Sequence, residues 1–168
     1  QAPAASVAFP TSRNHQLYSI ALSGGSSKQE VGYPVAQISF LPDGASFLYQ
    51  DCKGMENIWR KHHTSSVSKD IWKYDASTGN HTNLTSRPGE DRNPVVANDG
   101  KTVYFLSERN GDSFNVYSTT VDDMSVVKKL TNFKTHPVRF LSSSNDGILA
   151  FAYDGDIYTM PNGKKASK

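Results

Sequence analysis

The feature of this sequence that most constrains its fold is a set of short motifs that recur together every 40–50 residues. Asp-Gly pairs begin at residues 43, 99 and 146, Leu-Thr pairs begin at 84 and 130, and aliphatic–aromatic pairs begin at 17, 71, 116 and 157. A proline stands before the first predicted strand of three units, at Pro34, Pro94 and Pro137, where no ladder donor is lost. Coincident markers at one period indicate repetition of a single supersecondary unit.

The unit is clearest in residues 99–131, which read as three strands and their turns. Asp99 and Gly100 suit the tip of a hairpin, because glycine tolerates the positive φ of a tight reversal. Residues 102–107 form a nearly continuous apolar run, as expected of a strand covered on both faces. Residues 115–121 and 126–131 supply the next two strands. With the strand before the turn, each unit has four strands, which is the make-up of a β-propeller blade.

The sequence therefore predicts an all-β fold, a partial β-propeller of about three and a half four-stranded antiparallel blades in one domain over residues 1–168. Residues 6–13, SVAFPTSR, match residues 102–109, TVYFLSER, so the chain starts at the second strand of a blade. The predicted blades are blade 1 at about 6–32, lacking its innermost strand, blade 2 at 34–85, blade 3 at 94–131, and an incomplete blade 4 at 137–168.

Such an arc leaves sheet faces open, because rings close with about four to eight blades. We expect the chain to be part of a longer ring, and we expect the isolated piece to self-associate through its open ends.

Composition narrows the classes of partner. The chain has 18 basic and 16 acidic residues, too balanced for a nucleic-acid-binding footprint. Cys52 is the single cysteine, so no internal disulfide is possible. No apolar run approaches the length of a membrane span and no signal peptide is visible. No cofactor is predicted.

One blade departs from the repeat. Its loop between second and third strands, residues 51–69, has 19 residues where the next blade uses the seven of 108–114. Insertions in repeat proteins lie on one face and often carry binding. Loops of this kind share an end with the connections between blades, close to Lys134 and His136. The predicted binding rim comprises Trp59, Arg60, Lys61, His62, His63, Glu90, Asp91 and Arg92.

Two interpretations of the rim stand at this point. In the first, Arg60 and Arg92 grip carboxylates of a peptide or a neighbouring domain. In the second, Arg60 pairs with Glu90 or Asp91 to hold the long loop, with Trp59 packed beneath.

Catalytic and metal sites are not predicted. Adjacent histidines in an extended segment point in opposite directions, so His62 and His63 make a poor zinc site. No G-x-S-x-G elbow is present. The carboxylates that could serve a propeller glycoside hydrolase show no distinguishing spacing; they are Asp51, Asp70, Asp75 and Asp91.

The motifs resemble a known family. PDG at 42–44, NDG at 98–100, SER at 107–109 and the terminal Leu-Thr are similar to the propeller repeats of tricorn and Tol-associated periplasmic proteins. More specific are WRKHHTSSVSKDIWKYD at 59–75, GEDRNPV at 89–95, SFNVYS at 113–118 and HPVRFLS at 136–142. Together these runs resemble the N-terminal β-propeller of bacterial tricorn-like serine peptidases, which are related to C-terminal processing proteases.

The resemblance implies a non-catalytic propeller segment that gates or guides peptide substrates, or docks the PDZ and peptidase domains of a longer protein. It also implies a location in the bacterial periplasm or cell envelope. No residue here matches the family's catalytic serine or its partners. Two alternatives stay open: a stand-alone protein-binding propeller of the Tol-associated type, and a propeller glycoside hydrolase.

Overall fold

The computed structural model describes residues 15–111, 113–161 and 163–168. Its strands form four separate antiparallel sheets. The described residues also contain one 3-10 helix, Arg109–Gly111, which lies between two strands of the third sheet. The first sheet has two strands, β1 (Tyr18–Ser19) and β2 (Lys28–Gln29). The second has four in chain order, β3 (Ala36–Phe40), β4 (Phe47–Gln50), β5 (Ile71–Asp75) and β6 (Asn80–Asn83).

The third sheet repeats that four-stranded meander, and the fourth has three strands. The third contains β7 (Asp91–Val96), β8 (Thr102–Ser107), β9 (Asn115–Thr120) and β10 (Lys128–Lys129). The fourth contains β11 (Arg139–Ser143), β12 (Ile148–Tyr153) and β13 (Asp156–Pro161). The chain is thus an all-β partial propeller, as the repeat predicts. The strand predicted at residues 6–13 lies outside the described residues.

The hydrophobic cores lie between neighbouring sheets. One core joins the second and third sheets through Leu48, Ile71, Val103, Phe105 and Tyr117. Its counterpart joins the third and fourth sheets through residues that include Leu106, Leu149, Phe151 and Met160. β8 supplies both cores, so its apolar run is covered on both faces as predicted. Each sheet is therefore stabilised mainly by the sheets beside it.

The first strand of each larger sheet lies toward a common centre, since β7 packs against both β3 and β11. All three strands carry a β-bulge with one left-handed residue at the irregularity: Gln37 (φ 50°), Asn93 (φ 52°) and Phe140 (φ 57°). Left-handed backbone in residues other than glycine is uncommon and costs free energy. The sequence does not reveal this shared feature.

The Leu-Thr motif closes the outer side of a blade. The backbone N–H of Ile71 donates to Thr85 Oγ1 at 2.8 Å, and the N–H of Val116 donates to Thr131 Oγ1 at 2.9 Å. Both threonines are buried. The hydroxyls thus extend the ladder beyond the last strand, which explains why Leu-Thr recurs with the aliphatic–aromatic pair.

The fourth sheet ends differently from its neighbours. It has no Leu-Thr motif, and the terminal segment instead forms a bridge in which Thr159 and Ser167 exchange two backbone hydrogen bonds of 2.8 and 2.9 Å. Lys168 Nζ also lies 2.6 Å from Asp156 Oδ2. Within the described ranges, no helix has the length and apolar character needed to cross a bilayer.

Candidate functional site

The long loop at residues 51–69 lies over the ends of the third and fourth sheets, and Arg60 anchors it there. The Arg60 side chain is only 3% exposed. Its Nη2 lies 2.9 Å from Glu90 Oε2 and its Nη1 lies 2.9 Å from Glu108 Oε2. Burial opposes the charged form, but the hydrogen bonds that Arg60 donates to Glu108 and Glu90 raise its pKa above the ordinary value. The guanidinium thus joins three segments distant in sequence.

Arg92 extends this buried charge cluster. Its guanidinium stacks over the Phe114 ring, 4.0 Å from the centroid, and its Nη1 lies 3.5 Å from Glu90 Oε1. Burial, together with the nearby charges of Arg139 and Arg60, lowers the pKa of Arg92. Arg92 Nε is buried and has no hydrogen-bond acceptor among the described residues.

Arg139, from β11, holds the tip of the loop. Its Nη2 donates to the Arg60 carbonyl oxygen at 3.1 Å, and its Nη1 donates to the Ile58 carbonyl oxygen. The same guanidinium lies over the Trp59 ring, 5.2 Å from the centroid, and Phe140 meets that ring edge-on at 5.6 Å. Trp59 is nevertheless 60% exposed, so it is not packed beneath the loop as the second interpretation supposed.

A second link runs from the loop to the fourth sheet. Lys61 Nζ lies 2.7 Å from His136 Nδ1, and His136 Nε2 lies 3.2 Å from Asp154 Oδ1. An ammonium can only donate, so Nδ1 of His136 is the acceptor and its Nε2 carries the proton toward Asp154. This places the predicted neighbours Lys61 and His136 at one end of the molecule.

The structure divides the predicted rim into two groups. Half of its members are buried in the charge clusters: Arg60, Glu90, Asp91 and Arg92. The other half are exposed on the loop: Trp59, Lys61, His62 and His63. The pairing of Arg60 with Glu90 is the one that the second interpretation proposed. Ligand binding by the rim stays a prediction, with its exposed half as the contact surface.

Metal ligation finds no support at the histidines. His63 Nε2 lies 3.6 Å from Glu56 Oε2, and His62 is an exposed residue in left-handed conformation (φ 56°). Throughout the described ranges, no three His, Cys, Asp or Glu side chains are grouped so that they could share a metal ion.

The carboxylates considered for sugar chemistry bind groups of the chain itself. Asp51 and Asp70 share Lys53 Nζ, at 3.5 and 2.5 Å, and burial raises the pKa of Asp51. The Asp91 carboxylate accepts hydrogen bonds from Nη2 and Nε of Arg87 at 2.9 and 3.0 Å. Asp75 accepts bonds from Ser77 within its own turn. These partners give the four carboxylates structural roles in turns and ion pairs.

Three residues of the site escaped sequence reasoning: Glu108, Phe114 and Arg139. Each lies in a stretch that the repeat explains as ordinary blade, and Glu108 and Phe114 stand in the short loop equivalent to the insertion. One signal was available. A loop 12 residues longer than its equivalent has to rest on the adjacent blade, so charged residues at that blade's matching turn were candidates for its partners.

These features define a class of protein: a β-propeller whose second-to-third strand loop is held over the next two blades by the buried Arg60 and the half-buried Arg139. The family of tricorn protease N-terminal β-propeller domains matches residues 4–166. The chain therefore belongs to that family.

Individual relatives are more distant. An uncharacterized protein of Agrobacterium fabrum is 27% identical over 151 residues, covering 86% of this chain and 45% of the relative. The tricorn protease crystal structure superposes with a TM-score of 0.73 at 22% identity, covering 93% of this chain and 14% of that one. The crystal structure of TolB from Acinetobacter baumannii superposes with a TM-score of 0.65 at 25% identity, covering 90% of this chain and 36% of that one. The chain spans less than half the length of each of these three proteins.

Proposed function

We propose that this chain is the non-catalytic propeller segment of a tricorn-like serine peptidase, where it guides peptide substrates or docks the catalytic domains. The observation that carries the proposal is the locked loop. Arg60 and Arg139 fix its backbone against two blades, so that Trp59 and Lys61 are held at the surface. An ordered aromatic side chain beside cations suits contact with a peptide, because little conformational entropy is lost on binding.

A cavity beside the loop also supports the proposal that the loop contacts a peptide. It has a volume of about 210 Å³ and lies between His62, His63 and the segment that carries Glu108 and Phe114. A peptide side chain could enter this cavity while the backbone follows the exposed half of the rim.

Membership of the tricorn family supports the further proposals about the whole protein. These are a PDZ module and serine peptidase core as its own partners, and a location in the bacterial periplasm or cell envelope. The likeness to TolB supports a second candidate, a stand-alone propeller that recruits a protein partner. The reading frame around this segment separates the two, since a downstream peptidase core belongs only to the first.

The binding proposal is tested with a fluorescein-labelled peptide library and fluorescence anisotropy. The double variant Trp59→Ala/Lys61→Ala should weaken the best peptides at least about tenfold, since both side chains are exposed contact groups. Lys101→Ala, which removes an exposed lysine on the opposite turn, is the matched control. Equal affinity in all three proteins would refute rim binding. Turnover of any peptide that a serine-directed fluorophosphonate abolishes would refute the non-catalytic assignment.

A further inference from the structure

A small cavity lies where the first strands of the three larger sheets meet. Its volume is about 110 Å³, and its lining includes the left-handed residues of the three bulges, Gln37, Asn93 and Phe140. One water molecule occupies about 30 Å³ of liquid, so the cavity has room for a small polyatomic ligand.

The charge of the lining is one-sided. Lys69, Arg92 and Arg139 all line the cavity, and its lining contains no carboxylate. Within the described ranges, no carboxylate lies at ion-pair distance from Lys69 or Arg139. Arg92 is 7% exposed. Among the described residues, its one carboxylate at ion-pair distance is Glu90, whose Oε1 lies 3.5 Å from Nη1, and the charge of Glu108 also acts on it.

The neutral groups of the lining add hydrogen-bond donors. Gln50 is buried, and its Oε1 accepts the Asn93 N–H at 3.3 Å, which leaves its amide NH₂ as a donor. Asn93 Nδ2 donates to Gln37 Oε1 at 3.0 Å, which leaves the Gln37 NH₂ in the same role. Arg92 Nε is buried without an acceptor among the described residues. A buried donor such as this Nε normally has a partner.

We propose that this cavity is a binding site for a small, doubly charged tetrahedral oxyanion of the phosphate or sulfate type. Cations contributed by three separate segments line the cavity, and an oxyanion has several oxygens that can accept from the donor groups of the lining. Such an anion would neutralise positive charge of the cavity lining, which Lys69, Arg92 and Arg139 contribute. The site shares the buried Arg92 with the predicted rim but none of the rim's exposed residues, and it stands whether or not peptides bind the loop.

The test uses the purified chain and inorganic phosphate at pH 8, with sodium chloride at matched ionic strength as the salt control. Calorimetric titration and thermal unfolding should show saturable binding and a rise in Tm beyond the chloride control. Lys69→Gln should weaken phosphate binding at least about tenfold, and Lys69→Arg should retain most of it. Lys73→Gln, a half-buried lysine of β5 outside the cavity, makes the same charge change and should leave the affinity unaltered.

Equal stabilisation by phosphate and chloride, or equal phosphate affinity in Lys69→Gln and Lys73→Gln, would overturn the proposal. Because Lys69 is only half-buried and donates no side-chain hydrogen bond within the described ranges, its replacement should leave the fold intact. Phenyl phosphate in the same titrations identifies the source of the anion. If phenyl phosphate binds and Lys69→Gln weakens that binding, the natural ligand is a phosphate group carried on a larger molecule. If inorganic phosphate binds and phenyl phosphate does not, the ligand is the free ion.

Discussion

At the scale of the residue, Arg60 is predicted as a binding residue of the rim, and its buried ion pairs hold the loop in position. A charged rim residue ordinarily contributes little to stability when it is exposed. The Arg60 side chain is 3% exposed and lies between the buried Glu90 and the half-buried Glu108. Removing one partner from such a cluster leaves a charge that is neither solvated nor paired.

Arg60→Met should therefore lower the free energy of unfolding by about 3–5 kcal/mol, because Glu90 and Glu108 lose their cation in the interior. Urea denaturation followed by circular dichroism measures the change. Lys101→Met removes an exposed cation and should stay within about 0.5 kcal/mol of the parent chain. A loss for Arg60→Met as small as that of the control would show that the guanidinium does not hold the loop.

At the scale of the element, two Asp-Gly turns share their hydrogen bonds and backbone angles but differ in the residues packed around the glycine. In two of them the aspartate Oδ1 accepts backbone N–H groups of the turn, from Ser46 to Asp43 and from Thr102 to Asp99, both at 2.8 Å. Gly44 and Gly100 have nearly the same positive φ, 69° and 68°. Their surroundings differ, since a Cβ at Gly100 would lie 2.3 Å from the Pro42 ring and one at Gly44 would meet nothing within 4 Å.

Alanine at these two positions separates backbone strain from packing between blades. Gly44→Ala should cost about 1–2 kcal/mol, the cost of left-handed backbone in an L-residue. Gly100→Ala should cost about 1–3 kcal/mol more, because it also displaces the neighbouring blade's proline. Urea unfolding of both variants measures the difference. Equal losses would mean that Pro42 moves freely and that the contact between these turns is not tight.

Much of this element structure could be predicted from the sequence, because hairpin glycines and apolar alternation are local signals. Residues 102–107 are predicted as a strand and form a strand with those bounds. The bulges could not be predicted, since only asparagine among Gln37, Asn93 and Phe140 favours left-handed backbone. The contact of Arg139 with the loop was hidden for another reason: the two are about 80 residues apart, and only the packing of blades brings them together.

At the scale of the whole molecule, apolar side chains remain exposed at both ends of the arc. Ile157 and Phe140, 73% and 55% exposed, lie on the face of the fourth sheet opposite its core. At the other end, Ile20, Leu22 and Phe40 are exposed. In a closed ring, neighbouring blades cover such faces. We propose that the isolated chain covers them by self-association.

Light scattering after size-exclusion chromatography should therefore give a mass above that of the monomer, increasing with protein concentration. Ile157→Lys should shift the mass toward 18.5 kDa, because a lysine charge on the open face opposes apolar contact. Val126→Lys alters a 72% exposed valine in the loop before β10 and should leave the mass unchanged. A monomer at every concentration would show that the open faces do not associate.

The attachment of the 51–69 loop to two further sheets has a consequence for unfolding cooperativity. In a repeat array each unit usually senses only its nearest neighbours, so terminal units can fray while the rest stays folded. Here the loop of the second sheet holds charges from the third and a guanidinium from the fourth. Loss of the fourth sheet would therefore also release the tip of the loop that Arg139 holds, and this next-nearest-neighbour coupling favours a single all-or-none transition across the three sheets.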